Sequence, residues 1–517
     1  MDRVPGFGPG GCRFKSCRAR KRIMVYKTPN EILKIIDILE LAGFEAYLVG
    51  GCVRDLLLGA ACGEPVEPKD WDITTNARPE EIQKVFPDSF YENDFGTVGV
   101  KTGSDEKSLA VVEVTPYRIE EKYSDKRHPD EVKFSQKLED DLKRRDFTVN
   151  AMALRLGSGQ AYEITDLFGG QEDLKKKIIK TVGKPEERFE EDALRILRAV
   201  RLAAELGFSI EKETEKILSQ EAGSLKVISE ERIRDEFIKI IMSDNAVWGL
   251  KEMQKLGILK YIVPELEEGI GVTQNKEHIF TVWDHNLKAL GHAVEKNFSF
   301  EVRMAALLHD VGKPRTKRGE GTDSTFYNHE MVGAKMTSQI LSRLCFPKKI
   351  IEKIVKLVRW HLFFSDTEVI TLSAVRRIVR NVGPENVWDL MSVRFCDRIG
   401  MGRPKEQPYR LRKYESMIEE AMRAPVHVSQ LKIEGRKVME TAGLEPSPKV
   451  GFILHALLEE VLDDPSLNTE KYLLKRVGEL AKFSDEKLKE LGVEAKERKE
   501  KEEEKEISKI RSKYGVK

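Results

Sequence analysis

Long apolar runs are missing from this chain. No stretch of its 517 residues approaches the roughly 18 continuous apolar residues needed to cross a bilayer, and the first residues hold no apolar signal core. That excludes a membrane-spanning protein and leaves a cytoplasmic one as the expectation. Cysteine is scarce too: six are spread along the chain in no pattern that would make a disulfide framework. Cys12 and Cys17 have no second thiol pair nearby to complete a zinc site, so the six read as free thiols. An excess of one charge is also absent. Lys+Arg 88 faces Asp+Glu 87, so no global field draws the chain to nucleic acid, and any such site must come from local patches. What remains is a globular composition, 40% hydrophobic and 34% charged, whose length suggests about three or four domains.

Residues 1–23, rich in Gly, Arg and Lys without periodicity, are expected to be disordered or to be an extension upstream of the true start. A helical pattern covers 30–41. From 45 to 156, short β-rich runs at 46–49, 98–101, 109–115 and 151–156 alternate with helical ones, which predicts an α/β catalytic head over 24–156. After Gly169 and Gly170 the pattern turns almost purely helical, most strongly at 193–206 and 230–241. The expected fold class is therefore α+β: a small head, then a helical neck over 157–268 and an all-α remainder. The segment 483–517 is dense in Lys and Glu with few apolar anchors, which predicts an exposed helix or a frayed tail without chemistry.

Gly50 and Gly51 stand between the apolar run 46–49 and a helix expected from about Val53. Backbone N–H groups in such a turn, at a helix N-terminus and beside Arg54, can approach a triphosphate closely. Asp70 and Asp72 follow, one residue apart. If 69–73 is a strand, both side chains leave the same face, and two converging carboxylates suit Mg²⁺ and a two-metal phosphoryl displacement. Downstream, Arg144, Arg145, Asp146 and Asn150 lead into the apolar run 151–156 and can address a ribose and phosphates through directional hydrogen bonds. On one helix, Asp192, Arg195, Arg198 and Arg201 fall at successive i+3 steps, opposite Leu194, Leu197 and Val200. That stripe fits a solvated, ion-paired face. It also fits a carboxylate and a guanidinium that read the edge of a base without a nucleic-acid template.

The ordered series of Gly50-Gly51, Asp70 and Asp72, Arg144 to Phe147, Asp166 to Leu174, Glu191 to Arg195 and Glu231 to Glu236 resembles the class II tRNA nucleotidyltransferase and bacterial poly(A) polymerase family, over about residues 40–265. The resemblance implies a polymerase-β-like head in which Asp70 and Asp72 bind the catalytic Mg²⁺. It implies that Gly51 and Arg54 contact the triphosphate and that Arg145 and Asp146 address sugar and phosphate. Asp192 and Arg195 would pair with the base of CTP or ATP, while Arg198 and Arg201 complete the nucleotide pocket. Glu113 fits a third carboxylate or a strand-surface residue equally, and is not counted among the site residues. The segment 120–129 resembles a flexible loop that full CCA-adding enzymes keep, which implies complete CCA addition to tRNA.

Six of the nine histidines fall between 278 and 361. His285, then His309-Asp310, then Asp397 follow the order His, His-Asp, Asp on expected helices, which can bring imidazole and carboxylate ligands to one divalent metal. The quartet resembles the HD phosphohydrolase superfamily, and the run from His309 to Lys313 is close to its signature. This implies an HD domain over 269–405 with a second divalent metal, Mn²⁺, Ni²⁺, Mg²⁺ or Fe²⁺, to which His329 and His361 could add a further ion. Residues 420–482 look like the helical body and tail of bacterial CCA-adding enzymes, where basic residues would touch tRNA.

The expected activity is template-independent addition of CCA to tRNA 3′ ends from CTP and ATP, with no membrane partner. The alternatives are a poly(A) polymerase, an A-only or CC-only tRNA nucleotidyltransferase, and an HD-type metal phosphohydrolase acting on nucleotides or RNA ends.

Overall fold

The computed structural model describes residues 28–62, 66, 68–92, 96–121, 131–156, 162–275, 279–362, 370–422, 431–463, 465–484, 486–488 and 507–516. The expectations for 1–23, for most of the loop 120–129 and for most of the charged tail lie outside these residues. Two compact units divide the chain, Met1–Val358 and Arg359–Lys517. The division falls inside the 269–405 segment rather than at either of its ends. No helix among the described residues is long and apolar enough to cross a membrane.

The first unit opens with the helix Asn30–Leu41, which buries Ile32, Ile35, Ile36 and Leu39 at i, i+3, i+4 and i+7. The head strands follow in chain order as β1 Ala46–Val49, β2 Asp72–Thr75, β3 Ser89–Tyr91, β4 Val98–Lys101, β5 Val111–Pro116, β6 Arg118–Glu121, β7 Glu131–Phe134, β8 Met152–Leu156 and β9 Tyr162–Asp166. Seven of them form one sheet in the order β3-β4-β5-β2-β1-β8-β9, while β6 and β7 pair as a separate hairpin. Only β2 and β5 run parallel in that sheet.

Register decides what each face carries. Leu154, Leu48, Ile73 and Val114 are partners along one row, and all four have no exposed surface. One residue along, side chains point to the other face. There the row reads Ala153, Val49, Asp72, Glu113, Gly99. A closely packed apolar row on one side therefore fixes two carboxylates next to each other on the opposite side.

The neck continues through the helices Pro185–Glu191, Arg195–Leu206, Lys212–Glu221, Glu230–Met242 and Ala246–Lys255. The helices Val282–Glu295, Phe300–Leu308 and His329–Arg343 come next. Arg303 is 1% exposed and ties the last two groups together: its Nη1 donates to Ile241 O at 3.1 Å and Ser243 O at 3.3 Å, so it caps the C-terminus of Glu230–Met242.

The second unit is helical among its described residues. Gly435–Ala442, Pro448–Asp463 and Glu470–Leu480 share a core that includes Val438, Ile453, Leu457, Leu473 and Val477. The far end of the charged tail is a helix, one of the two forms expected for it, and is tied to a neighbouring helix of its unit. Residues 507–513 are helical, and Arg511 and Lys513 pair with Glu420 and Glu419 of the helix Tyr409–Met422. Ile507, Ile510 and Tyr514, at i, i+3 and i+7, are half-buried there, a short apolar stripe that the surrounding Lys and Glu obscure in the sequence.

Candidate active site

At the end of β1 the chain turns through Gly50 at φ +78° into the helix Gly51–Cys62. A Cβ on Gly50 would lie 3.1 Å from both Arg145 Nη1 and Asp72 Oδ2. The turn backbone thus presses against a carboxylate and a guanidinium, in a conformation that glycine adopts freely. One turn into the helix, Arg54 is held on two sides. Its Nε donates to Asp55 Oδ1 at 2.8 Å and its Nη1 to Asn150 Oδ1 at 2.9 Å.

Asp72 begins β2 and is the Cα partner of Glu113 in β5. Burial raises the Asp72 carboxyl, Asp70 and Asp141 raise it further, and only Arg145 opposes them. Burial likewise raises Glu113, followed by the charges of Asp72, Glu92 and Asp70. Asp70 acts on both and Asp72 on Glu113, a like-charge repulsion that a hard cation relieves. The donor set fits a divalent metal, as the family reading implies. Asp70, however, lies in a bend just before the strand and is exposed, because pairing with β1 starts only at Asp72. The two aspartates do not occupy one strand as the i, i+2 argument expects, although they remain electrostatic neighbours.

Behind this row, fully buried Asp141 accepts from Arg144 Nη2 at 2.6 Å and from Arg145 Nη2 at 3.1 Å. Burial pushes its carboxyl up, yet the two guanidiniums hold it below the usual range. Asp146 is similar. Arg198 donates to its Oδ2 from Nε at 2.8 Å and Nη2 at 2.6 Å, and Phe147 N donates to its Oδ1 at 2.9 Å. Against the opposing effect of burial, Arg198 and Arg195 hold Asp146 at about 2.

The expected stripe of Asp192, Arg195, Arg198 and Arg201 is broken at its first member. The helix begins at Arg195, and Asp192 stands in extended backbone after Glu191, where its Oδ1 accepts from Leu194 N at 3.0 Å. A side chain that bonds the backbone two residues on favours a turn over continuing the helix. Asp192 Oδ2 is held by Arg232 Nη2 at 2.8 Å. Arg195 donates to Glu191, to Arg188 O and to Arg144 O through three of its five N–H groups, leaving two on a fixed guanidinium. Arg201 is committed to Glu236 and Glu205, at 2.5 and 2.8 Å, and so acts as a strut of the neck.

Asp141, Arg232 and Glu236 are supporting residues to which the motifs assigned no role. The first was accessible, since Asp141 precedes Arg144 and Arg145 at helical spacing. Arg232 and Glu236 meet their partners across 40 and 35 residues, with no local signal.

A second cluster lies in the same unit. His285 sits on Val282–Glu295, His309 and Asp310 follow Phe300–Leu308, and His329 opens His329–Arg343. The Nε2 atoms of His285 and His309 are 2.8 Å apart, and Asp310 Oδ2 lies 3.2 and 3.3 Å from them. His329 Nε2 is 3.4 Å from Asp310 Oδ1. The Nδ1 atoms of His309 and His329 face Ala306 O and Phe326 O at 2.8 and 2.7 Å, so each ring donates backward and presents its Nε2 lone pair to the cluster. Such a set suits a divalent metal. Lys313 Nζ also reaches Asp310 Oδ2 at 2.6 Å, and despite burial that charge and His309 hold Asp310 well below the usual carboxylate range. Asp397 and His361 belong to the second unit, where the buried Asp397 carboxylate pairs with Arg394.

Comparison with known proteins gives three family matches along the chain: a poly A polymerase head domain over 46–180, a probable RNA- and SrmB-binding site of polymerase A over 207–270, and an HD domain over 277–412. The A-adding tRNA nucleotidyltransferase of Deinococcus radiodurans is 36% identical over 335 residues, 62% of this chain and 75% of that protein. A CCA-adding enzyme of Ligilactobacillus salivarius is 30% identical over 469 residues, 89% of this chain and 99% of that one. Among solved structures, the Bacillus stearothermophilus CCA-adding enzyme in complex with CTP superposes with a TM-score of 0.56 at 27% identity, covering 87% of this chain and 96% of that chain.

Proposed function

Since the chain belongs to the tRNA nucleotidyltransferase family, which its A-adding and CCA-adding relatives represent, we propose that it adds C, C and A to tRNA 3′ ends from CTP and ATP, in the cytoplasm and without a template. The observation that carries this reading is the carboxylate row of Asp72 and Glu113, with Asp70 beside it, facing the Gly50 turn and Arg145.

In this reading the backbone at Gly51 and the side chain of Arg54 hold the triphosphate, with Asp55 and Asn150 fixing the guanidinium. Arg145 and Asp146 address sugar and phosphate, and Arg198 keeps Asp146 ionised. Asp192 accepts from the exocyclic amino group of the base while the two remaining N–H groups of Arg195 donate to its ring edge. Asp70 and Asp72 would hold Mg²⁺, which when bound supplies positive charge against the reacting oxygens. The tRNA 3′-oxygen attacks the α-phosphorus in line, its proton is lost, and pyrophosphate leaves.

The test supplies tRNA transcripts ending before CCA, after C and after CC, with CTP, ATP or both, and sequences the products. Addition of only the missing nucleotides supports the proposal. A-only addition is the second reading, favoured by the Deinococcus radiodurans relative, and would appear as extension of the CC-ending transcript alone. Long A tails on unrelated RNA would instead indicate poly(A) polymerase. The histidine cluster is read as a metal-dependent phosphohydrolase centre for phosphomonoesters or cyclic phosphates of nucleotides or RNA ends. Its check is hydrolysis of p-nitrophenyl phosphate and of a 2′,3′-cyclic nucleotide with Mn²⁺, Ni²⁺, Mg²⁺ or Fe²⁺ added singly after chelation.

A further inference from the structure

The chain carries nearly equal numbers of basic and acidic residues, and its helical arginines are mostly used in ion pairs. Arg188, Arg232, Arg343 and Arg476 each have a carboxylate partner within hydrogen-bond distance. The helix Leu372–Val382 of the second unit breaks that habit. Its apolar side is ordinary: Val375, Val379 and Val382, at i, i+4 and i+7, are buried. The side chain of Thr371 caps its start by accepting from Ala374 N at 3.3 Å. Its other side holds Arg376, Arg377 and Arg380, all exposed, with no acidic residue anywhere in the helix. None of the three has a hydrogen-bond or ion-pair partner among the described residues.

Folding alone gives little reason for this arrangement. Arg380, in the last turn, gains from the helix dipole, but Arg376 and Arg377 stand mid-helix. Like charges at i, i+3 and i, i+4 repel, and a single glutamate at one of these positions would reverse the sign. Three guanidiniums spread over about 6 Å of helix axis, exposed and without an acidic partner among the described residues, form a local positive patch on a chain without net field. Guanidinium forks match phosphate oxygens bidentately.

We propose that the outer face of Leu372–Val382 is a docking surface for the sugar-phosphate backbone of tRNA, positioning the substrate through phosphate contacts without reading its sequence. The inference rests on the tRNA reading given above and adds to it a specific surface outside the head and neck. Phosphate contacts set affinity and register, and each one displaces counterions, so such a surface shows itself in salt dependence.

The test compares the full-length protein with the triple variants Arg376→Gln/Arg377→Gln/Arg380→Gln and Arg376→Lys/Arg377→Lys/Arg380→Lys. It measures Kd for a tRNA transcript lacking CCA across a salt series, with kcat at saturating tRNA and thermal unfolding alongside. The glutamine variant should bind about 10-fold or more weakly at low salt, and the slope of log K against log salt should flatten by about 2 to 3. Its kcat and melting temperature should match the wild type. The lysine variant should keep most of the slope, because point charges suffice for counterion release, and this guards against a mere folding defect. If the wild type extends tRNA but the glutamine variant binds with the same Kd and slope, the docking surface is wrong and the tRNA reading stands. If the wild type neither binds nor extends tRNA, that reading fails and takes this one with it. Loss of binding to phosphatidylserine vesicles with tRNA binding intact would overturn the proposal in favour of a membrane surface.

Discussion

The carboxylate row of the head and the histidine cluster both offer carboxylate oxygens that suit a divalent metal, but the negative charge is balanced in opposite ways. In the head, Asp72 and Glu113 lie side by side with Asp70 exposed next to them; the carboxyls of Asp72 and Glu113 are raised, and Arg145 is the charge that opposes this at Asp72. In the histidine cluster, Asp310 is buried and already neutralised by Lys313 and imidazoles, so its carboxyl is depressed. A site of the first kind is open and incomplete until a cation and a triphosphate arrive. A site of the second kind is preassembled, which suits a fixed metal centre with small substrates.

The largest expected effect breaks that comparison on one side only. Asp70→Ala should lower nucleotide transfer by about 10³-fold or more while leaving phosphohydrolase activity at its wild-type value, both measured on one preparation. Asp310→Asn tests the other side. It leaves Lys313 buried without its counter-charge, and chemical denaturation should show a loss of about 3 kcal/mol, together with loss of divalent-cation binding by calorimetry to the chelated protein.

Asp146 sharpens the account of how the head keeps its supporting carboxylates ionised. Its carboxyl sits at about 2 in the folded protein, against about 3.9 in an unfolded chain. The folded state therefore binds the proton less readily. The Asp146–Arg198 pair contributes about 2 kcal/mol at pH values above 4, and that contribution is lost progressively as pH falls from about 4 to 2. Asp146→Asn should remove it at neutral pH and flatten stability across that window, as urea unfolding at pH 7, 4 and 2.5 would show. The smallest effect comes from Gly50→Ala. The added Cβ meets Arg145 and Asp72 at 3.1 Å and the backbone sits at φ +78°, so stability should fall by about 1 kcal/mol and KM for CTP should rise with little change in phosphohydrolase rate.

Much of this was legible in the sequence because the motifs pair chemistry with local backbone signals. The run 46–49, the glycine turn and the helix after it follow one another within a dozen residues, and four of the expected β runs coincide with strands to within two residues at either end. The neighbourhood of Asp72 and Glu113 was legible only as one of two options, since Glu113 fits a third carboxylate and a strand-surface residue equally. They meet through a parallel pairing across 41 residues, and sheet order depends on packing both faces rather than on either strand. Asp192 was misplaced for a different reason. Its spacing fits a helix, but its side chain captures Leu194 N and starts a turn, a local competition that periodicity does not register. The histidine cluster was readable as residue types and order. Lys313 as the neutralising partner of Asp310 also lay within reach, three residues along the chain.

The central claim is that transfer depends on the head carboxylates and not on the histidine cluster. The most direct measurement follows incorporation of radiolabelled CTP into a tRNA transcript lacking CCA by the wild type, Asp72→Ala and His309→Ala side by side. Incorporation of two cytidines by the wild type and His309→Ala, with none by Asp72→Ala, is the predicted result; cytidine incorporation that survives Asp72→Ala, or disappears with His309→Ala, would contradict it.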